Sequence, residues 1–455
     1  MIEDVEYKGT WWNQRDAEVI YNGLYTFKKD FGSKLFLEGV LDDSCDVIQG
    51  ISNNGKKITL LNAFNTKTTR SFSPSSSDGS SEIYAQTAFI GAHLKNDSKF
   101  EKVYFRTELL DEWVNISGFK IEEEFAPINI QISYTAPDPI LLYTSEEYEI
   151  SLVFQQTFPT HSYVQKEAKI VQQVYFKINF IQDADYKKAQ KIIHRLQNFI
   201  SLATLKPLMP LNISGYSKES VFSFQEQQIP NEIDILYTSI TDYKKFDVLP
   251  PNMLFTFSHI AHSPQSFFEQ WFRIADTLSP VFDLYFADIY QPATYLEKRF
   301  LSLVQALESY HRRTASNEIL SKADHKKRCN EILTAIPESH KDWLNSILHY
   351  SNEIRFAQRM EELFEQYSYL LSPFIAKEEF VKLSKDTRNY HTHYDQSLEK
   401  KTAKGSNLIK LIEIQKTLLT LSLLGELGFS SQDLYAFFDK FDIHRMVFFE
   451  YDKTK

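Results

Sequence analysis

Only two cysteines, Cys45 and Cys329, occur in 455 residues, and they lie in segments of different character. That argues against a disulfide framework or a cysteine-based zinc site, and reduced cytoplasmic thiols are expected. Glycine is scarce, 13 residues against 36 Phe and 25 Tyr, which excludes collagen-like and disordered classes. No run approaches the roughly 18 consecutive apolar residues of a membrane span, and the opening MIEDVEYKGTWW has neither a basic leader nor an apolar one. A soluble cytoplasmic chain with no membrane partner is expected. The P-loop string, the GxGxxG fingerprint, HExxH and GxSxG are all missing, so triphosphate hydrolysis, dinucleotide chemistry and the common hydrolase triads have no support. No cofactor and no metal are expected. Cationic excess is also lacking: 50 Lys and Arg stand against 60 Asp and Glu, a net charge of −10. A mean field of that sign repels phosphate, so a nucleic-acid site requires local basic patches.

What is present divides into two halves. A chain of this length exceeds the size at which one core stops growing, so two or three domains are expected. Up to about residue 180, short runs alternate with period 2 or are rich in β-branched and aromatic residues: GLYTF, KLFLEGVL, KKITLLNAF, EIYAQTAFI, KVYFRTELL, INIQISYT, YEISLVFQQTF and VQQVYFKINF. Turn signals separate them, among them Asn53 to Gly55 and the serine-rich stretch 71–81. The period then changes. Ala189, Ile192, Ile193, Leu196, Phe199, Ile200 and Ala203 recur at spacings of 3 and 4, an amphipathic helix ended by Pro207 and Pro210. From Ser263 onward the pattern is helical almost throughout. Leu296, Phe300, Leu303, Val304, Leu307 and Tyr310 make one apolar stripe, and short consecutive helices follow to about residue 439. The expectation is an α+β protein: an antiparallel β-rich domain over 1–288, sandwich or barrel-like, with helices near 184–206 and 264–285, then an all-α bundle over 289–455.

One stretch of that bundle, RNYHTHYD at 388–395, crowds an arginine, an asparagine and two histidines into six positions. On a helix Asn389 and His393 lie about 40° apart, so the amide can orient the imidazole, whereas Arg388 and His393 are about 140° apart and cannot aim at one point except along a groove. Two copies meeting about a two-fold axis would supply such a groove, with two guanidiniums and two imidazoles converging. Metal-free cleavage of RNA by its own 2′-OH needs those groups: a base, an acid and fixed positive charge on the phosphorane. Histidine titrates near neutral pH, and arginine grips phosphate while staying charged.

The run R-N-x-x-x-H, present as Arg388, Asn389 and His393, resembles the signature of the higher eukaryotes and prokaryotes nucleotide-binding (HEPN) domains. FLSLVQALESYHRR and KDTRNYHTHYD resemble the ApeA-like subgroup of that family, and YKGTWW, GLYTF and LFLEGVL resemble its β-rich N-terminal domain. The resemblance implies a C-terminal HEPN bundle and an anti-phage endoribonuclease acting by abortive infection through tRNA cleavage. It also implies work as a homodimer or higher homo-oligomer, with a phage-derived trigger. By carry-over Arg388 binds the scissile phosphate, Asn389 sets the histidine and His393 transfers protons. His391 stands where an apolar residue is more usual, and it remains a competitor for the catalytic role.

Other charged residues carry two readings each. Glu308 follows the apolar stripe by one residue, so it either reaches the bundle seam and pairs with Arg388 or forms an ordinary i, i+4 pair with Arg312. Arg312, Lys400, Lys401 and Lys404 are candidate RNA contacts or plain solubilising charges, as is the HKKR cluster at 325–328. The HIAH run at 259–262 lacks an evident third ligand for zinc. The alternative to a nuclease is a non-catalytic dimer that holds RNA or protein, with the β domain as sensor.

Overall fold

The computed structural model describes residues 4–28, 31–41, 46–70, 79–158, 160–162, 164, 166–224, 227–237, 246–291 and 293–441. Cys45, Pro292 and most of the serine-rich stretch, 71–78, lie outside them. The chain packs as two units, Met1–Glu269 and Gln270–Lys455, whereas the sequence suggests a division after residue 288.

In the first unit the period-2 runs form a 12-stranded antiparallel sheet, half of which closes on itself. Gly79–Ile90, Gly32–Glu38, Asp16–Lys28, Val5–Asn13, Val47–Ser52 and Lys57–Arg70 follow in order, and the last pairs back onto the first to complete a six-stranded barrel. Closure removes the open edges that would otherwise invite association. Alternate residues point inward: Trp11, Tyr25, Leu35, Leu37, Ile58 and Leu60 are buried together. Gly50 is required beside Trp11, because a Cβ there would stand 2.3 Å from indole Cε3. The turn after Val47–Ser52 has Gly55 at φ +82°, in the left-handed region that an Asn-Gly pair favours.

The remaining strands continue the sheet outward from Gly79–Ile90 through Gln227–Tyr237, Pro210–Phe224, Lys99–Thr107, Gln172–Asp185, Tyr148–Gln156 and Ile140–Thr144. The helix Tyr186–Thr204 lies on this extension, its first turn capped by Asp185, which accepts from the Lys188 N–H. A separate hairpin, Phe119–Phe125 with Ile128–Tyr134, completes the unit's larger strands.

Two helices, Pro264–Thr277 and Ser279–Tyr290, stand where the sequence predicts one near 264–285. Pro280 in the first turn of the second has no N–H for the Asp276 carbonyl, and the helix breaks there.

In the second unit Ser406–Glu426 is buried on nearly every side, as its lack of a polar face requires. Ser279–Tyr290, Leu296–Thr314, Phe356–Gln366 and Lys377–His393 pack around or beside it. Tyr285 and Thr420 share a hydrogen bond of 2.8 Å, and Gln415 Nε2 donates to Ser384 Oγ at 3.2 Å. Asp288, 1% exposed, binds Arg299 Nε at 2.6 Å and Lys416 Nζ at 3.3 Å, which ties three helices together. Burial alone would raise its carboxyl, but hydrogen bonding from Arg299 and the charge of Lys416 outweigh it and hold the group below the usual carboxylate value. Among the described residues no helix is long and apolar enough to cross a membrane.

Candidate functional site

The helix Lys377–His393 carries RNYHTH in its last two turns. It contains neither proline nor glycine, and its buried stripe runs through Phe380, Ser384 and Thr387 at helical spacing. Phe380 packs on Phe364 with centroids 5.2 Å apart, and Thr387 Oγ1 accepts from the Ala403 N–H at 3.0 Å. The helix ends at Tyr394, whose left-handed φ of 52° turns the chain away while its N–H still reaches the Tyr390 carbonyl.

That stripe decides where the two histidines go. His391 is four residues beyond Thr387 and continues it, lying against Phe300 and Tyr390 at centroid distances of 6.4 and 5.1 Å. Among the described residues its enclosed Nε2 has no hydrogen-bond partner, and burial, reinforced by Lys404 and opposed by Glu297, depresses its pKa below the ordinary histidine value. His393 falls on the far side of the helix and is exposed. Asp395 follows closely, its carboxyl held low chiefly by hydrogen bonds from Ser397 and also by the His393 charge.

Arg388 is held from two directions. Its guanidinium lies 3.7 Å from Glu308 Oε2 and its carbon 5.4 Å from the centre of the Phe356 ring, while the side chain stays 35% exposed. Glu308 thus occupies both positions that the sequence leaves open, since its Oε1 accepts from Arg312 at 3.3 Å while its Oε2 faces Arg388. The Asn389 amide oxygen accepts from Arg388 NH1 at 3.3 Å, and among the described residues no side-chain hydrogen bond joins Asn389 to His393. The guanidinium therefore has the carboxylate on one side, an aromatic face on another and open solvent beyond.

Of the basic residues, Lys400 and Lys401 are exposed at the end of the turn Gln396–Lys401. Lys404 pairs with Glu399 at 3.2 Å and stands 6.0 Å from the Tyr390 ring, beside the motif helix. Arg312, 45% exposed, is shared between Glu308 and Glu353. His325 of the HKKR cluster bonds Ser351, and His259 of HIAH bonds the Thr256 N–H at 3.1 Å in a helix cap, so both act locally. Sequence reasoning passed over Phe356, His311 and Arg359. The signal for His311 was its position four after Leu307, on the same apolar stripe as Phe300 and Leu303.

The model of the family described as ApeA N-terminal domain 1 matches residues 6–271, and that described as Apea-like HEPN matches residues 301–433. No curated protein and no solved structure matches the chain. The first match alone covers more than half of the chain, and the second covers the helices that hold Glu308, Phe356 and RNYHTH; the chain therefore belongs to the ApeA family, an ApeA N-terminal domain followed by an Apea-like HEPN domain.

Proposed function

We propose that the chain is a metal-independent endoribonuclease of the HEPN type, active in anti-phage defence by abortive infection. It works in the cytoplasm as a homodimer or higher homo-oligomer, with tRNA as its target and a phage-derived trigger registered by the N-terminal unit. In the reaction a base removes the proton of a 2′-OH, the 2′-oxygen bonds to phosphorus, and the P–O5′ bond breaks as an acid protonates the leaving oxygen. The products carry 2′,3′-cyclic phosphate and 5′-OH ends. His393 of one subunit serves as base and His393 of the second as acid, while Arg388 neutralises the phosphorane.

The observation that carries this reading is the partly open Arg388 guanidinium, anchored at 3.7 Å by Glu308, with the exposed His393 five residues further along the same helix. The enclosure of His391 Nε2 favours His393 as the imidazole a polynucleotide meets. Lys400, Lys401, Lys404 and Arg312 supply cations near the motif, which an RNA site in an acidic protein needs.

Purified protein, alone and with extract of phage-infected cells, is incubated with tRNA in EDTA. Cleavage leaving 2′,3′-cyclic phosphate, lost in both Arg388→Ala and His393→Ala, is expected. Undiminished cleavage by both variants, or RNA retained without any cut under every condition, overturns the proposal.

A further inference from the structure

One turn beyond the residues that hold Arg388, the same two helices are joined by a buried polar contact. Leu296–Thr314 presents Glu308 and, three residues later, His311; Phe356–Gln366 presents Phe356 and, three residues later, Arg359. His311 is 2% exposed and Arg359 fully buried. Arg359 NH1 contacts His311 Nδ1 at 3.0 Å and Asn317 Oδ1 at 2.7 Å, and His311 Nε2 lies 2.7 Å from Glu362 Oε2. A guanidinium only donates, so His311 Nδ1 is the acceptor and its Nε2 carries the proton that Glu362 receives. Each ring nitrogen thus has one partner, and the imidazole bridges the two helices.

A buried arginine is an expensive way to join two helices, and this one is incompletely satisfied: among the described residues its Nε and NH2 have no hydrogen-bond partner. A well-packed apolar residue would serve stability at least as well. The location supplies another use. Residues three apart share a helix face, so whatever fixes His311 against Arg359 also fixes Glu308 relative to Phe356. Those two are the walls between which the Arg388 guanidinium sits. Asn317, the third member, donates to the Arg312 carbonyl at 2.8 Å and so steadies the end of the helix whose Arg312 shares Glu308 with Arg388.

We infer that His311 and Arg359 form an interhelical bolt that sets the Glu308–Phe356 cradle, which makes Arg359 a positioning residue for the phosphate-binding Arg388. The inference rests on the nuclease reading for its substrate, since the group that Arg388 addresses is the RNA phosphate. It concerns neither the fold as a whole nor the proton transfers of His393.

The test measures binding of a fluorescein-labelled single-stranded RNA oligonucleotide, with thermal melts as the control for folding. Arg359→Met keeps the volume and removes the donors; it weakens binding about tenfold, the size of one charge-assisted hydrogen bond, and has no further effect in an Arg388→Ala background. His311→Gln, which keeps only the contact with Glu362, behaves like Arg359→Met. His311→Asn, whose amide oxygen replaces the Nδ1 acceptor, retains wild-type binding. Equal losses with and without Arg388, or no loss in any variant, overturn the inference. If the wild type neither binds nor cuts RNA the nuclease reading fails, and the bolt is then decided by a crystal structure of Arg359→Met. Arg388 displaced from Glu308 and Phe356 supports it; Arg388 unmoved overturns it.

Discussion

The Arg388 guanidinium and the Glu308 carboxylate face each other across 3.7 Å at the junction of two helices, each partly open to water. An ion pair so exposed adds little stability, about 0 to 1 kcal/mol. In the proposed reaction its importance lies in what it does to an arriving anion: the carboxylate would aim the guanidinium and at the same time compete with phosphate for it.

Glu308→Gln separates those two effects. Removing the negative charge favours phosphate binding, so KM for RNA falls several-fold. Losing the aim of Arg388 costs more in the transition state, and kcat falls by up to about 10²-fold, the cost of a misplaced group. Steady-state cleavage of a labelled substrate reads both parameters; a rise in kcat contradicts the positioning role.

The two histidines are expected to differ in their response to substitution. His393→Ala removes the proposed proton-transfer group and is expected to lower turnover by about 10² to 10⁴. His391→Phe places a ring where Phe300 and Tyr390 already receive one, eliminates an enclosed nitrogen without a partner, and leaves turnover within a few-fold. It also changes the pH dependence of stability. The folded pKa of His391 is depressed below 6.5, so as pH falls through that value the unfolded chain takes up a proton that the folded chain resists, and stability declines. Melts from pH 7.5 to 5 lose that component in His391→Phe; an unchanged profile refutes the assignment.

Asp288→Asn breaks the ion cluster in the second unit, taking the carboxylate from Lys416 and leaving Arg299 its 3.5 Å contact with Glu413. A loss of about 3 kcal/mol is expected by urea denaturation at pH 7. The carboxyl titrates below its ordinary value of 3.8, so its contribution is complete above that value and disappears as pH falls below it. The difference between wild type and variant therefore shrinks at pH 3.

Local chemistry made much of this legible from the residues. Period-2 alternation located the strands, and the Asn53 to Gly55 turn marked a hairpin because only a residue tolerant of positive φ fits it. RNYHTH was readable as helical, and its spacing foretold that Asn389 and His393 share a face. The sequence left sandwich and barrel open; the choice of a barrel depends on pairings between strands distant in sequence, such as Gly32–Glu38 with Gly79–Ile90, which no local pattern encodes. The break at Pro280 was hidden by an apolar pattern that continues across it. Of the partners of Arg388, Glu308 was one of two readings its sequence position left open, whereas Phe356, 32 residues away, escaped because its approach is set by helix packing. Arg359 carries no sequence signal that sets it apart, and only the fold shows it buried.

Phe356 offers the cleanest way to weigh the aromatic wall against the acidic one. A cation held over an aromatic face gains about 0.5 to 1 kcal/mol at a partly exposed site, which corresponds to a two- to five-fold effect. Phe356→Leu retains apolar bulk at the start of its helix but removes the quadrupole, so RNA cleavage should fall by about that factor with little change in melting temperature. Phe356→Tyr keeps the ring face and should preserve activity. Because the ring and the Glu308 carboxylate constrain the same guanidinium, the double variant Phe356→Leu with Glu308→Gln should lose more in kcat than the product of the single losses, as expected when the second of two supports is withdrawn. Independent, multiplicative losses would mean that Arg388 is positioned by the helix backbone rather than by its two walls.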